Sequence, residues 1–297
     1  MKRIEQLSYI GMILTIIFWG LSWPVGKIIA TNFHGASLTA AFIRFTIAFP
    51  ALAVIVFLKE KSVSVPRELH IKLIILGLLQ VTLYNFLYLT GLIFTSSSDA
   101  SLIISLNPTI TAVISSQLYS DERLTINRLL GLVVAFSGVT LIFFLSPNAS
   151  GGNNILGDLI IFGGAFVWAI ATSFSRPIFK QITPLRYQFW VTLYGWIALG
   201  LLSLFEKPWK VSVSGESWLA LIYLGLFAAA TANVLFSTGV KNLGPTKTSI
   251  FVNFVPLLGV IFSIIILSEN FSVVYIVAFL LITAGVTLVN RRNHRET

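Results

Sequence analysis

The chemistry available to this sequence sits in a few polar and aromatic side chains set inside long apolar runs. Arg44 lies in Ala41-Phe42-Ile43-Arg44-Phe45 with no carboxylate near it in the chain. An arginine in hydrocarbon costs roughly 2.5–3.5 kcal/mol, so it needs a purpose. It is either an anion-binding group or gate partner in a cavity, or a side chain that snorkels to a nearby interface or bonds carbonyls. Asn85 and Tyr88, three apart, share a helical face with Tyr84 one step around, and Asn233 and Phe236 repeat that spacing. A buried amide binds a substrate carboxylate or amine, or it joins helices to one another. Ser101, Ser105 and Thr109 follow at four-residue spacing around Asn107 and Pro108, and Ser249, Asn253 and Pro256 echo them. Proline frees a carbonyl and bends a helix, so Pro108 and Pro256 are expected kinks. Ser105 and Asn253 are expected to line a cavity beside those kinks, although small hydroxyl residues also mark tight packing. Trp19, Trp23, Trp168 and Trp190, with Phe45, Tyr84 and Phe254, suit an aromatic cage for an apolar or cationic ligand. Trp209 and Trp218 suit an interfacial belt instead.

Other chemistries lack their parts. An intramembrane hydrolase needs paired carboxylates, a histidine cluster or a nucleophile beside a base, and none is visible. There are no cysteines, and His34, His70 and His294 are too scattered for a metal cluster. A Gly-Lys-Ser/Thr phosphate loop is missing too, so direct use of ATP is not expected. The expectation is therefore no catalytic residue, no metal and no cofactor.

The elements that must hold these residues are membrane helices. Of 297 residues, 56% are hydrophobic and 10% charged, against roughly 25% charged in soluble domains. Apolar segments near 7–30, 37–58, 71–94, 98–119 and 125–145 are followed by others near 155–176, 185–205, 217–240, 246–267 and 272–290. Each approaches the roughly 20 residues that a helix needs to cross a bilayer. Placing both termini in the cytoplasm puts sixteen of the twenty Lys and Arg on that side. Only Lys27, Lys207 and Lys210 are left outside, with Arg44 inside a helix. The net charge of +9 is thus read as an orientation signal and not as a nucleic-acid footprint. The first apolar run continues through Trp19 to Ile29 without a small-residue cleavage site, so it is expected to be a retained helix. The expected location is the cell (inner) membrane.

Ser146 to Asn154 forms the most loop-like stretch and divides the chain almost in half. The expected units are residues 1–146, a loop at 147–154, and residues 155–297. At an offset of 148, Leu76-Gly77-Leu78 matches Leu224-Gly225-Leu226, Asn85 matches Asn233, Gly91 matches Gly239, and Pro108 matches Pro256. Trp19 pairs with Trp168 and Lys27 with Arg176 at the front, and Glu122 pairs with Glu269 after one deletion. Five helices per half force the second half to enter from the opposite side, giving an inverted repeat with a path between the halves. The fold class expected is an all-α integral membrane protein of ten transmembrane helices.

The run Phe18-Trp19-Gly20-Leu21-Ser22-Trp23-Pro24-Val25-Gly26-Lys27, Ile43-Arg44-Phe45, and the Asn-Pro-Thr and Glu-Arg-Leu elements, in this order, resemble the EamA-type branch of the drug/metabolite transporter superfamily. The resemblance implies a secondary transporter of export type. Helices one to four and six to nine would surround a central cavity, with helices five and ten peripheral. The implied substrates are amino acids or other amphipathic metabolites. Related branches move phosphorylated or nucleotide-linked sugars, and that alternative would need clustered cavity cations from Arg44, Lys27, Arg176 and Lys247. A passive channel of the same fold is a further alternative. Asp99, at the outer start of helix four, is the candidate coupling carboxylate, while Glu122 and Glu269 are read as structural. Gly131, Ala135 and Gly138 give helix five a small-residue face suited to close contact. A monomer, or a homodimer through helices five and ten, is expected, with the lipid bilayer as surroundings and no nucleic-acid partner.

Overall fold

A computed structural model describes residues 2–120, 125–146, 153–244, 248 and 251–290. Its long elements are α1 Ile4–Asn32, α2 Ser37–Glu60, α3 Arg67–Phe94, α4 Ser97–Leu118, α5 Ile126–Leu145, α6 Asn154–Lys180, α7 Pro184–Glu206 and α8 Gly215–Val240, each apolar and long enough to span a bilayer. Two shorter apolar helices, α9 Val255–Leu267 and α10 Val273–Val289, complete the set of ten. No strand occurs among the described residues. The chain is an all-α integral membrane protein of two inverted five-helix repeats. Sequence explains where the helices start: Thr125, Thr183 and Ser214 each accept a hydrogen bond from the backbone N–H three residues on, satisfying donors that a helix start leaves open. Residues facing outward are apolar, with Leu58 77%, Ile126 73% and Leu219 72% exposed. That is the reverse of a water-soluble surface and suits a lipid one.

The helix contacts have the two-fold character that the repeat requires. Exchanging the halves turns the α3·α6 contact into α8·α1, α1·α9 into α6·α4, and α2·α8 into α7·α3, while α2·α7, α4·α9 and α5·α10 map onto themselves; all are substantial. Helix irregularities follow the same exchange. α3 widens into π-helical turns at Leu78–Leu83 and α8 does so at Tyr223–Thr231. α4 is interrupted at Ser105 and Leu106, just ahead of Asn107-Pro108, and the helical residues 251–252 that lead into α9 are parted from it at Asn253 and Phe254, just ahead of Pro256. A proline tolerates the first turn of a helix but not its interior, so each prolyl ring opens a new half-helix.

α5 and α10 stand to one side and pack chiefly on each other. A Cβ on Gly131 would lie 2.6 Å from the Gly285 carbonyl, and one on Gly285 would lie 2.5 Å from the Gly131 carbonyl. The small-residue face of α5 is therefore occupied within the chain by α10.

The two ends of the bundle can be told apart by their hydrogen bonds. Ser8, near the N-terminus, accepts from Asn242 Nδ2 at 2.9 Å, and the α2–α3 and α6–α7 junctions lie at this terminal end. The other end carries Lys27, Glu206 and Glu269, with the α5 terminus reaching Tyr275 at the start of α10 through Ser146 at 3.3 Å. α10 starts there, so it returns to the terminal end, where α1 begins.

Candidate functional site

About two turns in from the Glu206 end of α2, α2 and α3 place a cation against an amide. Arg44 Nη1 donates to Asn85 Oδ1 at 3.0 Å. The amide is held in that pose because Asn85 Nδ2 donates to the Val81 carbonyl at 2.8 Å and lies 3.4 Å from that of Gln80. Both carbonyls belong to the wide turns of α3, where bonds spaced at i+5 loosen the usual ladder. Asn85 is buried and Arg44 half-buried. Arg44 has no carboxylate within ion-pair distance among the described residues, and its Nε is buried with no hydrogen-bond partner. Rings take the place of a counter-ion: the guanidinium carbon lies 5.4 Å from the Phe45 centroid and 6.0 Å from that of Tyr88.

From Arg44 an aromatic train crosses three helices. Trp23 meets Tyr88 edge-on at 5.3 Å, Tyr88 stacks on Tyr84 at 6.2 Å, and Tyr84 meets Trp168 at 4.8 Å. Tyr88 is anchored by donating its hydroxyl hydrogen to the Ser22 carbonyl at 2.7 Å. This hydroxyl lies where a Cβ on Gly26 would sit, so the glycine is what admits Tyr88 against α1. The opposite half has a second cluster. Trp19 meets Phe236 at 5.3 Å and donates from Nε1 to the Ala228 carbonyl at 3.1 Å. Phe18 meets Phe227 at 5.3 Å, and Tyr223 donates to the Phe18 carbonyl at 3.0 Å. Asn233 Nδ2 donates to the Ala229 carbonyl at 2.6 Å.

The sequence candidates thus fall into groups. Trp19, Trp23, Arg44, Tyr84, Asn85, Tyr88, Trp168 and Asn233 lie on the facing parts of α1, α2, α3, α6 and α8. Ser105 and Asn253 sit in the two helix interruptions, where Ser105 Oγ donates to the Leu102 carbonyl at 2.5 Å. Just beyond, Asn107 Oδ1 and Thr109 Oγ1 are buried without partners. Ser101 is spent at the α4·α9 crossing, where its Oγ lies 3.3 Å from the Pro256 carbonyl. Trp190 is elsewhere: its Nε1 donates to the Val63 carbonyl at 2.7 Å and its ring meets His70 at 4.8 Å, both at the terminal end. Asp99 is also apart from Arg44. Its buried carboxylate accepts from Ser146 Oγ, 2.8 Å from each oxygen, at the end of α5. Glu122, Lys247 and Ser249 lie outside the described residues.

The Glu269 end is closed by side chains that finish the helices of other segments. Glu269 accepts from the Ser97 N–H at 2.8 Å and the Ser98 N–H at 3.1 Å, capping α4 from the far end of α9. Glu206, at the end of α7, accepts from the N–H groups of Leu38 and Thr39 at 3.1 and 2.7 Å and caps α2, whose own Ala36 cannot. Lys27 does the converse at the α3 C-terminus, donating to the carbonyls of Leu92 at 2.5 Å and Thr95 at 2.8 Å. Charges placed this way match the sign of the helix dipole at each terminus. Thr95 also donates to Asp158, and Ser97 Oγ lies 2.6 Å from Ser263 Oγ. An open depression lined by Lys27, Thr31, Asn32, Glu216 and Glu269 together with Ile28 and Leu267 adjoins this closure.

Sequence reasoning missed Lys27 and Glu206 as parts of that closure. One signal was available: a helix start at Ser37 preceded by Gly35-Ala36, with no side chain able to cap it.

Comparison with known proteins follows the same division of the chain. Residues 6–144 and 155–291 each match the model of the EamA-like transporter family. The uncharacterized transporter YyaM of Bacillus subtilis (strain 168) is 28% identical over 303 residues, covering 97% of both chains. An uncharacterized transporter of Archaeoglobus fulgidus is 26% identical over 300 residues, covering 97% of this chain and 99% of its own. A solved crystal structure with 18% sequence identity shares the fold at a TM-score of 0.66 over 96% of each chain.

Proposed function

Since the chain belongs to the EamA-like transporter family, we propose that it is a secondary active carrier that exports small amphipathic metabolites, amino acids among them, by alternating access. In this reading both termini face the cytoplasm of a cell whose inner membrane holds the protein, and the Glu269 end faces outward. The observation that supports it is the closure at that end. Glu269 ties the second repeat to the first through two backbone N–H groups at the start of α4, beside interruptions that divide α4 and α9 at matching positions. Broken helices at repeat-related positions let one half rock against the other around a fixed site. In this reading Arg44, Asn85 and the flanking rings form that site.

Asp99 is the coupling group in this reading, because it is a buried carboxylate at the end that must open. Counterflow tests the carrier. Proteoliposomes preloaded with an unlabelled amino acid or aromatic monocarboxylate are expected to concentrate the labelled compound transiently, which a channel does not do. Asp99→Asn is expected to keep counterflow while losing uphill transport driven by a pH gradient. Full retention of pH-driven transport would remove Asp99 from the mechanism.

A further inference from the structure

Arg44 presents a cation that the protein does not neutralise. Of its five N–H bonds, one at Nη1 has a hydrogen-bonded acceptor among the described residues, the Asn85 amide oxygen. Nε is buried and unpartnered, and no carboxylate among the described residues lies within ion-pair distance. Leaving such a group unpaired in a low-dielectric interior carries a cost that a bound anion would remove. The amide pose is itself fixed by the Val81 carbonyl, so Asn85 offers Arg44 an oxygen and leaves the rest of the guanidinium fork to something else. Arg44 as a whole residue is half-buried while its Nε is enclosed, so in the carrier reading an anion meets the fork as one half rocks against the other.

We infer that Arg44 is the anchor for the carboxylate of an aromatic monoanion, whose ring packs on the Tyr88–Tyr84–Trp168 train. This inference rests on the carrier reading and names the substrate class for the same site. Charge count selects a monoanion. Lys27 is spent on the α3 carbonyls, and Arg176 is engaged with the Tyr119 ring at 4.7 Å. A phosphomonoester carries up to two negative charges and needs clustered cations, whereas among the described residues Arg44 is the cation left to match one carboxylate through a paired fork. The ring is selected by the surroundings: Phe45 and Tyr88 flank the guanidinium, and Tyr84 and Trp168 continue the same apolar surface at 4.8 Å from each other. Stacked and edge-on rings reward an aromatic guest beyond the burial of its area.

The probes are 3-phenylpropionate and its neutral near-isostere 3-phenylpropanamide, titrated into the full-length protein in nanodiscs by calorimetry, with glucose 6-phosphate as the dianion. The wild type is expected to bind the carboxylate about tenfold or more tighter than the amide, from one charge-assisted hydrogen-bond pair, and to ignore the sugar phosphate. Arg44→Gln is expected to bring the two phenyl probes to equal affinity. Asn85→Asp keeps the arginine but supplies it with an internal carboxylate, so it too is expected to erase the preference, which guards against a misfolded Arg44→Gln. Equal affinities in the wild type, a preference surviving either variant, or binding of glucose 6-phosphate alone overturns the anchor. Counterflow on the same preparation separates the failures. Intact counterflow without a carboxylate preference sinks only the anchor, and absent counterflow sinks the carrier reading beneath it.

Discussion

The two repeats make the same polar device and finish it differently. In α3, Asn85 turns its amide nitrogen onto the carbonyl four residues back, Val81, and in α8 Asn233 does the same to Ala229, the residue 148 positions on from Val81. Both carbonyls come from π-helical turns at matching places. The first amide then offers its oxygen to Arg44, while the oxygen of the second accepts no hydrogen bond from the described residues. The corresponding stretch of α7, Val191-Thr192-Leu193, has no cation. Around the amides the first repeat has Tyr84 and Tyr88 where the second has Ala232 and Phe236. The halves share wide turns and broken helices, whereas the caps from distant segments described above fall on helices of the first repeat, as do the cation and the paired tyrosines.

If the asymmetry is energetic, matched substitutions must have unequal effects. Asn85→Leu strips the Arg44 guanidinium of its hydrogen-bonded acceptor, a loss of about 1.5–3 kcal/mol for a bond to a charged group. Asn233→Leu removes a neutral bond within one helix, about 0.5–1.5 kcal/mol. Thermal unfolding of the two variants in detergent, followed by intrinsic fluorescence, should show the larger loss for Asn85. Equal losses would mean that Arg44 draws nothing from its amide.

Tyr88→Phe makes the first repeat resemble the second, since Phe236 already lacks the hydroxyl. The Ser22 carbonyl loses a donor at 2.7 Å, so a stability loss of about 1 kcal/mol is expected. The preference for a carboxylate over its amide should persist, because the ring stays in place. If that preference fell together with stability, Tyr88 would be acting on the ligand through its hydroxyl and not only holding α1 to α3.

Much of the scaffold could be read from residue order because its causes are periodic or local. Apolar length set the ten helices, and Gly, Asn and Pro aligned at 148 residues announced two halves. The interruptions of α4 and α9 follow from Pro108 and Pro256, whose rings act on their own helices. The site was only partly legible. Arg44 stood out by its cost in hydrocarbon, yet its partner Asn85 is 41 residues away, and no spacing rule links α2 to α3. Lys27 read as an exterior charge because its function as the α3 terminator depends on α1 lying beside that end. Glu206 and Glu269 cap helix starts through N–H groups 168 and 172 residues earlier. Trp190 shows the reverse error: aromatic type placed it with the cage, while packing put it beside Val63 and His70 at the terminal end.

The repeat-related tryptophans give the finest test of the comparison. Trp19 and Trp168 occupy matching positions, but only Trp19 uses its indole nitrogen within the fold, donating to the Ala228 carbonyl at 3.1 Å in the wide turns of α8. Trp168 contributes a ring face against Tyr84 at 4.8 Å. Trp19→Phe should therefore cost about 0.5–1.5 kcal/mol of stability by unpairing a carbonyl and leave 3-phenylpropionate affinity nearly unchanged. Trp168→Phe should unfold close to the wild-type temperature, yet bind the probe about two- to tenfold more weakly, the range expected for one aromatic contact. Equal stability losses would show that the indole bond contributes nothing. An affinity loss confined to Trp19→Phe would move the ligand's ring from the Tyr84 side of the bundle to the Phe236 side, across the axis that relates the two halves.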